Sequence, residues 1–491
     1  MRSRRRRSRR PFQERFAWSN FRDVQVSRRI KAFSIPTLLA LFVIFGGANG
    51  EGLGVHALFL MLSGFICAAA ILDFPVREAP RDFRWLSGFL GAVLVIGIFQ
   101  LIELPTGIWR LFGARAAVEQ GWDLLQVTPG FESISAAPLR TIIALSYGLI
   151  PAAFLLGVYR LGWRATVANL PWTIAVLGAA SAGLGLMQVL LPSVPELYLY
   201  VYTNPNTPAG FFANINQQAI FLLMCMPFTT VVISKLLSKR ERTDQQSALM
   251  IFAGLLGAMQ LIGVLAAGSV AGYLILVPIL ALCYLISQSQ RRRINLLPAF
   301  IGLVVLFPAI LLVAYSPQLS GLGVTSIAND GPMSRVALAG VGSQIFFDHW
   351  FFGTGLGTFE PMFKMYEDPD LVTLKYANHV HNDYLQWAIE TGVIGLVVLF
   401  VFLRWLGARL LDVWRMYADS TTRLRRAAAA AALAPLLHSF VEYPVRAPAL
   451  LAFASLCVVL LVVPYNATRS QKTSDGDGSD ANEENTKQLT L

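Results

Sequence analysis

Twelve mostly apolar stretches follow one another along the chain, at about 33–48, 53–73, 85–102, 141–158, 168–192, 212–234, 248–266, 270–287, 297–315, 387–406, 427–441 and 448–464. A helix that crosses a bilayer needs about 20 such residues. The expectation is an all-α integral membrane protein with about twelve transmembrane helices. Two stretches, 33–48 and 427–441, are short for a span.

Composition agrees. Hydrophobic residues make up 55% and charged residues 14% of 491, against about 25% charged in soluble domains. The net charge of +11 suggests nucleic acid, but its distribution does not. Arginines crowd residues 1–31 and then recur in alternate short connections: Arg77, Arg81 and Arg84; Arg160 and Arg164; Lys235, Lys239, Arg240 and Arg242; Arg291 to Arg293; and Arg404 to Arg426. That alternation is the positive-inside pattern. It puts both termini in the cytoplasm and excludes a nucleic-acid partner. No short apolar core with a small-residue cleavage site follows the basic arm, so the arm is read as cytoplasmic rather than as a targeting peptide. Three regions result: a basic arm at 1–31, a membrane domain at 32–466, and a polar tail at 467–491 expected to be disordered. Cys67, Cys225, Cys283 and Cys457 all fall within apolar stretches, which suggests no disulfide and no thiolate metal site.

A polar interval of about 70 residues, 316–385, lies before the tenth helix on the outer face. It ends in Asn378-His-Val-His-Asn-Asp-Tyr-Leu-Gln, carrying His379 and His381. Asn382 or Asp383 would cap the helix that follows. Within the interval lie Arg335 and Gly353-Thr-Gly-Leu-Gly-Thr; the latter lacks the Gly-Lys-Ser/Thr of a phosphate loop and reads as a turn. Other polar residues map to the same outer end of the helices: Asn206, Asn214, Asn216, Gln217, Gln218, Gly268-Ser269, His438, Glu442, Tyr443 and Arg446. Polar groups at a bilayer are costly and are functional candidates by default. Structural alternatives stand beside that reading. Asn214 and Asn216 suit helix caps, His438 and Glu442 an interhelical pair, Arg446 a headgroup contact, and Arg335 an ordinary loop cation.

His381-Asn-Asp-Tyr-Leu-Gln with Glu390-Thr-Gly-Val-Ile-Gly, the upstream arginine with Phe352-Gly-Thr-Gly-Leu-Gly-Thr-Phe, Gly210-Phe-Phe-Ala-Asn-Ile-Asn-Gln, and His438-Ser-Phe-Val-Glu-Tyr-Pro together resemble the bacterial O-antigen ligase and polymerase superfamily. The likeness runs from about Asn204 to Pro448. It implies a GT-C-like fold and an inverting, metal-independent transferase in the inner membrane. Such an enzyme moves a glycan from undecaprenyl diphosphate to a sugar hydroxyl on a glycan or lipid-linked acceptor, on the periplasmic side. The likeness implies His381 as the catalytic residue and Arg335 as a diphosphate contact. Asn382, Asp383, Asn214, Asn216, His438 and Glu442 are the supporting residues. Chain-length regulators and flippases are further implied partners, and no cofactor is expected. One departure stands out: the family often has Gly-Ser-Arg where this chain has Gly268-Ser269-Val270. Arg446, or Lys375, is the candidate to replace that arginine at the diphosphate.

The chemistry suits these residue types. Arginine binds phosphate bidentately as the leaving group departs. A neutral histidine accepts the proton of a hydroxyl, and a nearby helix N-terminus would keep it neutral. His381 is thus a general base or a diphosphate ligand. No metal-ligand spacing appears beyond His379 and His381. The outer face is acidic, with seven acidic against three basic residues in 316–385. This leans towards a polymerase over a ligase to lipid A core, whose phosphates it would repel. A transporter is the reading from another class; neither paired broken helices nor internal symmetry supports it. A lipid-glycan binder without catalysis is the third.

Overall fold

The computed structural model describes residues 28–48, 53–71, 80–111, 115–161, 167–238, 243–288, 334–372, 377–416 and 420–462. In chain order the elements are α1 (Arg28–Phe45), α2 (Leu53–Ile71), α3 (Arg81–Gln100), β1 (Glu103–Pro105), α4 (Thr106–Trp109), α5 (Ala116–Leu125), β2 (Phe131–Ser133), α6 (Pro138–Ser146), α7 (Leu149–Leu161) and α8 (Leu170–Leu190). They continue with α9 (Ile215–Leu237), α10 (Asp244–Ala266), α11 (Val270–Ser287), α12 (Arg335–Asp348), α13 (Phe359–Tyr366), α14 (Asp383–Arg415), α15 (Ser420–His438) and α16 (Pro448–Val462).

Eight helical spans among the described residues are long and apolar enough to cross a bilayer: α2, α3, α6 with α7, α8, α9, α10, α11 and α14. Helices α1 and α16 are apolar but shorter, and α15 begins with Arg423, Arg425 and Arg426. The chain is a helical, multi-pass membrane protein. The expected span at 297–315, the tail and most of the basic arm lie outside the described residues. The expected span at 141–158 is two helices, α6 and α7, parted at Tyr147 and Gly148. The long polar interval is not a bare loop, since it carries α12 and α13. A small antiparallel ribbon, Glu103↔Ser133 to Pro105↔Phe131, adds a strand pair to the all-helical expectation.

Helix α9 is the hub. From Ala219 to Phe228 it is apolar on every face, and such a stretch must be buried all round. Ala219 to Cys225 are all 0–1% exposed, and α8, α10, α11 and α15 pack around it. Between helices in lipid the gain comes from close packing rather than from apolar transfer. Helix α15 meets that need with Ala427 to Ala432 and Ala434, all buried. With no side chain beyond Cβ, this face lets the neighbouring backbones approach closely.

The arginines at the start of α15 are internal fittings. Arg426 is 1% exposed and donates to the carbonyls of Val413 (3.3 Å), Trp414 (3.3 Å) and Met416 (2.8 Å). Those carbonyls end α14, where cations favour the helix dipole. Arg425 donates to the carbonyl of Leu461, at the end of α16.

Helix α14 breaks at Gly392, whose φ of 62° and ψ of −161° belong to a region open essentially only to glycine. The Gly353–Gly357 turn serves the break. Thr354 and Gly355 donate N–H bonds to the carbonyls of Ile389 and Glu390 (2.9 and 3.0 Å), and Val393 donates to Trp350 (2.8 Å). Gly353, Gly355 and Gly357 all have positive φ. From α3, buried Gln100 donates through Nε2 to the carbonyls of Phe352 (2.9 Å) and Glu390 (2.8 Å), and its Oε1 accepts from Leu356 N–H (3.0 Å). One side chain thus ties α3, the glycine turn and the break together and fixes the first turns of α14.

Candidate active site

The N-terminus of α14 is capped by Asn382, whose side chain accepts from Leu385 N–H at 3.0 Å. Of the two expected cap residues, Asp383 does something else. It is buried, accepts from Ser439 Oγ (3.1 Å) and Arg446 Nε (3.3 Å), and its own N–H bonds the Ser439 carbonyl (2.9 Å). The end of α14 is thereby fastened to the turn that follows α15. That turn carries Glu442, Tyr443 and Arg446.

Glu442 is the centre of the cluster. Its Oε1 accepts from Arg335 Nη2 at 2.5 Å and from Asn216 Nδ2 at 2.9 Å, while its Oε2 lies 3.1 Å from His381 Nδ1. The Glu442 side chain is 4% exposed, against 42% for Arg335 and 27% for His381. The anion is therefore sealed behind two groups that still reach solvent. Burial raises the Glu442 carboxyl. The His381 hydrogen bond and charge, then His438 and Arg335, outweigh it and bring the pKa down to about 2. Glu442 is thereby held as an anion, and His381 turns its Nδ1–H to it, which leaves Nε2 on the far side of the ring. It is the carboxylate, not the helix end, that bonds the ring.

Asn214 caps α9 by accepting from Asn216 N–H at 2.8 Å, as its position suggested. Asn216 is free of capping work and instead donates to Glu442. The expected His438–Glu442 pair does not form. Arg335, Asn216 and His381 engage the carboxylate instead, and both ring nitrogens of buried His438 lack a partner among the described residues. His381 has a left-handed φ of 55°, uncommon for a non-glycine residue.

Arg446 lies in the same network but is neutralised from within. It bonds Asp383 (3.3 Å) and Glu390 (3.1 Å). Burial lowers its pKa, but the Glu390 and Asp383 carboxylates outweigh this and raise it. Its side chain is 21% exposed, half as much as that of Arg335. Val270 is buried at the start of α11, where Ser269 caps the helix. Lys375 is outside the described residues. Asn206 is exposed, and Gln218 accepts from Ser181 (2.7 Å) within the bundle; neither joins the cluster.

Sequence reasoning left Gln386, Glu390 and Ser439 out of the site and gave Tyr443, one of the outer polar residues, no role in it. Gln386 donates to Glu390 Oε1 (2.8 Å) and bonds His379 Nδ1 (3.1 Å). Tyr443 packs against both His379 and His381, with ring centroids at 4.3 and 4.9 Å. Burial, then the charges of Arg446 and His381, holds His379 neutral, with its pKa lowered to about 3. The spacing of Asn382, Gln386 and Glu390 at i, i+4, i+8 puts them on one helix face, which was the available sign. Among the described residues no group of three or more His, Cys, Asp or Glu is placed to hold a metal.

Part of this network, from α12 to the first half of α14, falls in a segment of known type, while Asn216, Ser439, Glu442 and Arg446 lie outside it. Residues 253–400 match the model of the O-antigen ligase family. The match takes in Arg335, the glycine turn, His381, Asn382, Asp383 and the Gly392 break. No curated protein matches the chain. The O-antigen ligase family transfers glycans, and the match supports a membrane enzyme of that type.

Proposed function

We propose that this protein transfers a glycan from undecaprenyl diphosphate to a sugar hydroxyl during surface-polysaccharide assembly, with inversion and without a metal. The single observation that carries the proposal is the bridge that Glu442 makes between Arg335 and His381. Arg335, part exposed, meets the diphosphate. His381, oriented by Glu442 through Nδ1, takes the acceptor proton on Nε2. The acceptor oxygen bonds to the anomeric carbon as the bond from that carbon to the diphosphate oxygen breaks, and the lipid diphosphate leaves with the electron pair. A carboxylate behind the ring fixes its tautomer and steadies the imidazolium that forms. Base catalysis of this kind is worth roughly 10²–10⁴-fold.

In this reading the chain has about twelve spans in a GT-C-like arrangement in the inner membrane. Its termini are cytoplasmic and the site is periplasmic, with interval 316–385 over it. Arg446 holds the end of α14 in place and reaches the donor only through the edge that Asp383 and Glu390 leave free. The acidic outer face favours a polymerase over a ligase to lipid A core. The test is transfer in vitro from a purified undecaprenyl-diphosphate glycan by wild type and His381→Ala. Loss of transfer with donor binding kept supports a base. A variant that keeps more than about a tenth of the rate, less than the low end of the general-base range, removes His381 from the chemistry. Deleting the gene should leave single repeat units on their lipid; full-length chains stranded on the lipid would make the protein the ligase.

A further inference from the structure

The half of α14 away from His381 lies against the start of α3, and the two enclose a cleft of about 440 Å³. That is within the roughly 300–1,000 Å³ of ligand sites. We propose that this cleft binds one anionic phospholipid, with its phosphate at Arg81 and Arg84 and an acyl chain laid against Phe89 and Phe402.

The chemistry of the lining divides in two. Phe89 and Phe402 stack at 4.2 Å and, with Trp85 and Trp405, form the apolar part. Arg81 and Arg84 are one helical turn apart on α3, both exposed, and both line the same cleft. Neither has a side-chain partner among the described residues. Their neighbour Arg409 differs, since it is engaged by Asp82 (3.5 Å) and Asp412 (3.0 Å). Two unneutralised guanidinium groups above aromatic walls complement an amphipathic anion; planar guanidinium is suited to phosphate.

Free phosphate would leave the aromatic walls unexplained, and a zwitterionic lipid the two arginines. The site stands apart from the transfer chemistry, so it holds whichever glycan is moved.

Native mass spectrometry of the full-length, detergent-purified chain tests this, with phosphatidylglycerol, phosphatidylcholine or inorganic phosphate added in turn. One phosphatidylglycerol per chain should survive activation that strips phosphatidylcholine. The double variant Arg81→Gln/Arg84→Gln should lower its occupancy about tenfold, as expected when charge-assisted phosphate bonds are lost. Should the double variant not fold, Arg84→Gln alone must show a loss. Equal retention of phosphatidylcholine, binding of inorganic phosphate alone, or undiminished phosphatidylglycerol in the arginine variants overturns the proposal.

Discussion

His381 Nδ1 sits 3.1 Å from Glu442 Oε2, although 61 residues part them in the chain. The ring reaches that distance from a left-handed backbone, at a cost of order 1–3 kcal/mol. The two residues that follow hold it there, with Asn382 capping α14 and Asp383 bonded to Ser439 and Arg446. Strain kept in place at a bonded histidine fits a residue whose orientation is what the site needs.

Glu442→Gln should lower transfer by roughly 10²–10⁴-fold, because the amide neither fixes the tautomer of His381 nor balances its positive charge. Glu442→Asp, which keeps the charge but shortens the reach to Arg335 and His381, should fall between. Initial rates of transfer at saturating donor check this, and a Gln variant within threefold of wild type would place the base elsewhere.

Arg335→Lys should not be conservative. A lysine keeps the charge but loses the planar fork that holds a diphosphate through two bonds. Donor affinity should drop about tenfold or more, the scale of one charge-assisted bond. Titration with the lipid-linked donor reads this directly, and near-normal affinity would remove Arg335 from the site.

Acid should loosen the site in two steps. His379 is held neutral in the fold, with its pKa lowered to about 3 by burial and by Arg446 and His381, against about 6.5 when unfolded. As pH falls from 6.5 towards 3 the unfolded chain takes up a proton that the fold refuses, so stability declines. Glu442, at about 2 against about 4.3 unfolded, contributes stability that is complete above 4.3 and fades as pH falls to 2. Thermal melts in detergent between pH 7 and 4 should show His379→Gln with a shallower decline than wild type. Parallel curves would contradict the assignment.

Gly392→Ala should disable folding rather than chemistry. A Cβ there would lie 2.3 Å from the Phe351 carbonyl oxygen and 2.7 Å from Gly353 N, on top of a backbone cost of order 1–3 kcal/mol. The expected result is a lowered melting temperature and poor recovery from the membrane. A variant that melts like wild type would mean that the break can be repacked.

The order of apolar stretches was legible because lipid leaves the backbone few options. So was part of the cluster, since Arg335, His381, Asn216 and Glu442 come together, and Asn382 and Asn214 capped helices where their positions said they would. What stayed hidden was pairing at long range. His438 and Glu442 are one turn apart in sequence and invite a pair, but Arg335 and Asn216 reach the carboxylate from other elements. Nothing local in Gln100 tells of bonds to Phe352 and Glu390. The charge run at Arg425 and Arg426 reads as a topology mark, and only the geometry reveals two helix C-termini in need of donors.

Gln100 also sets a clock on assembly. Its carbonyl partners lie 252 and 290 residues further along the chain. At 5–20 residues per second of synthesis, α3 waits on the order of 15–60 s for them. During that interval an amide that is 1% exposed in the finished protein stands open to water, lipid or a helper protein. A chain halted before residue 390 never closes that gap, and it displays a polar mark by which a membrane protease could tell an unfinished copy from a complete one.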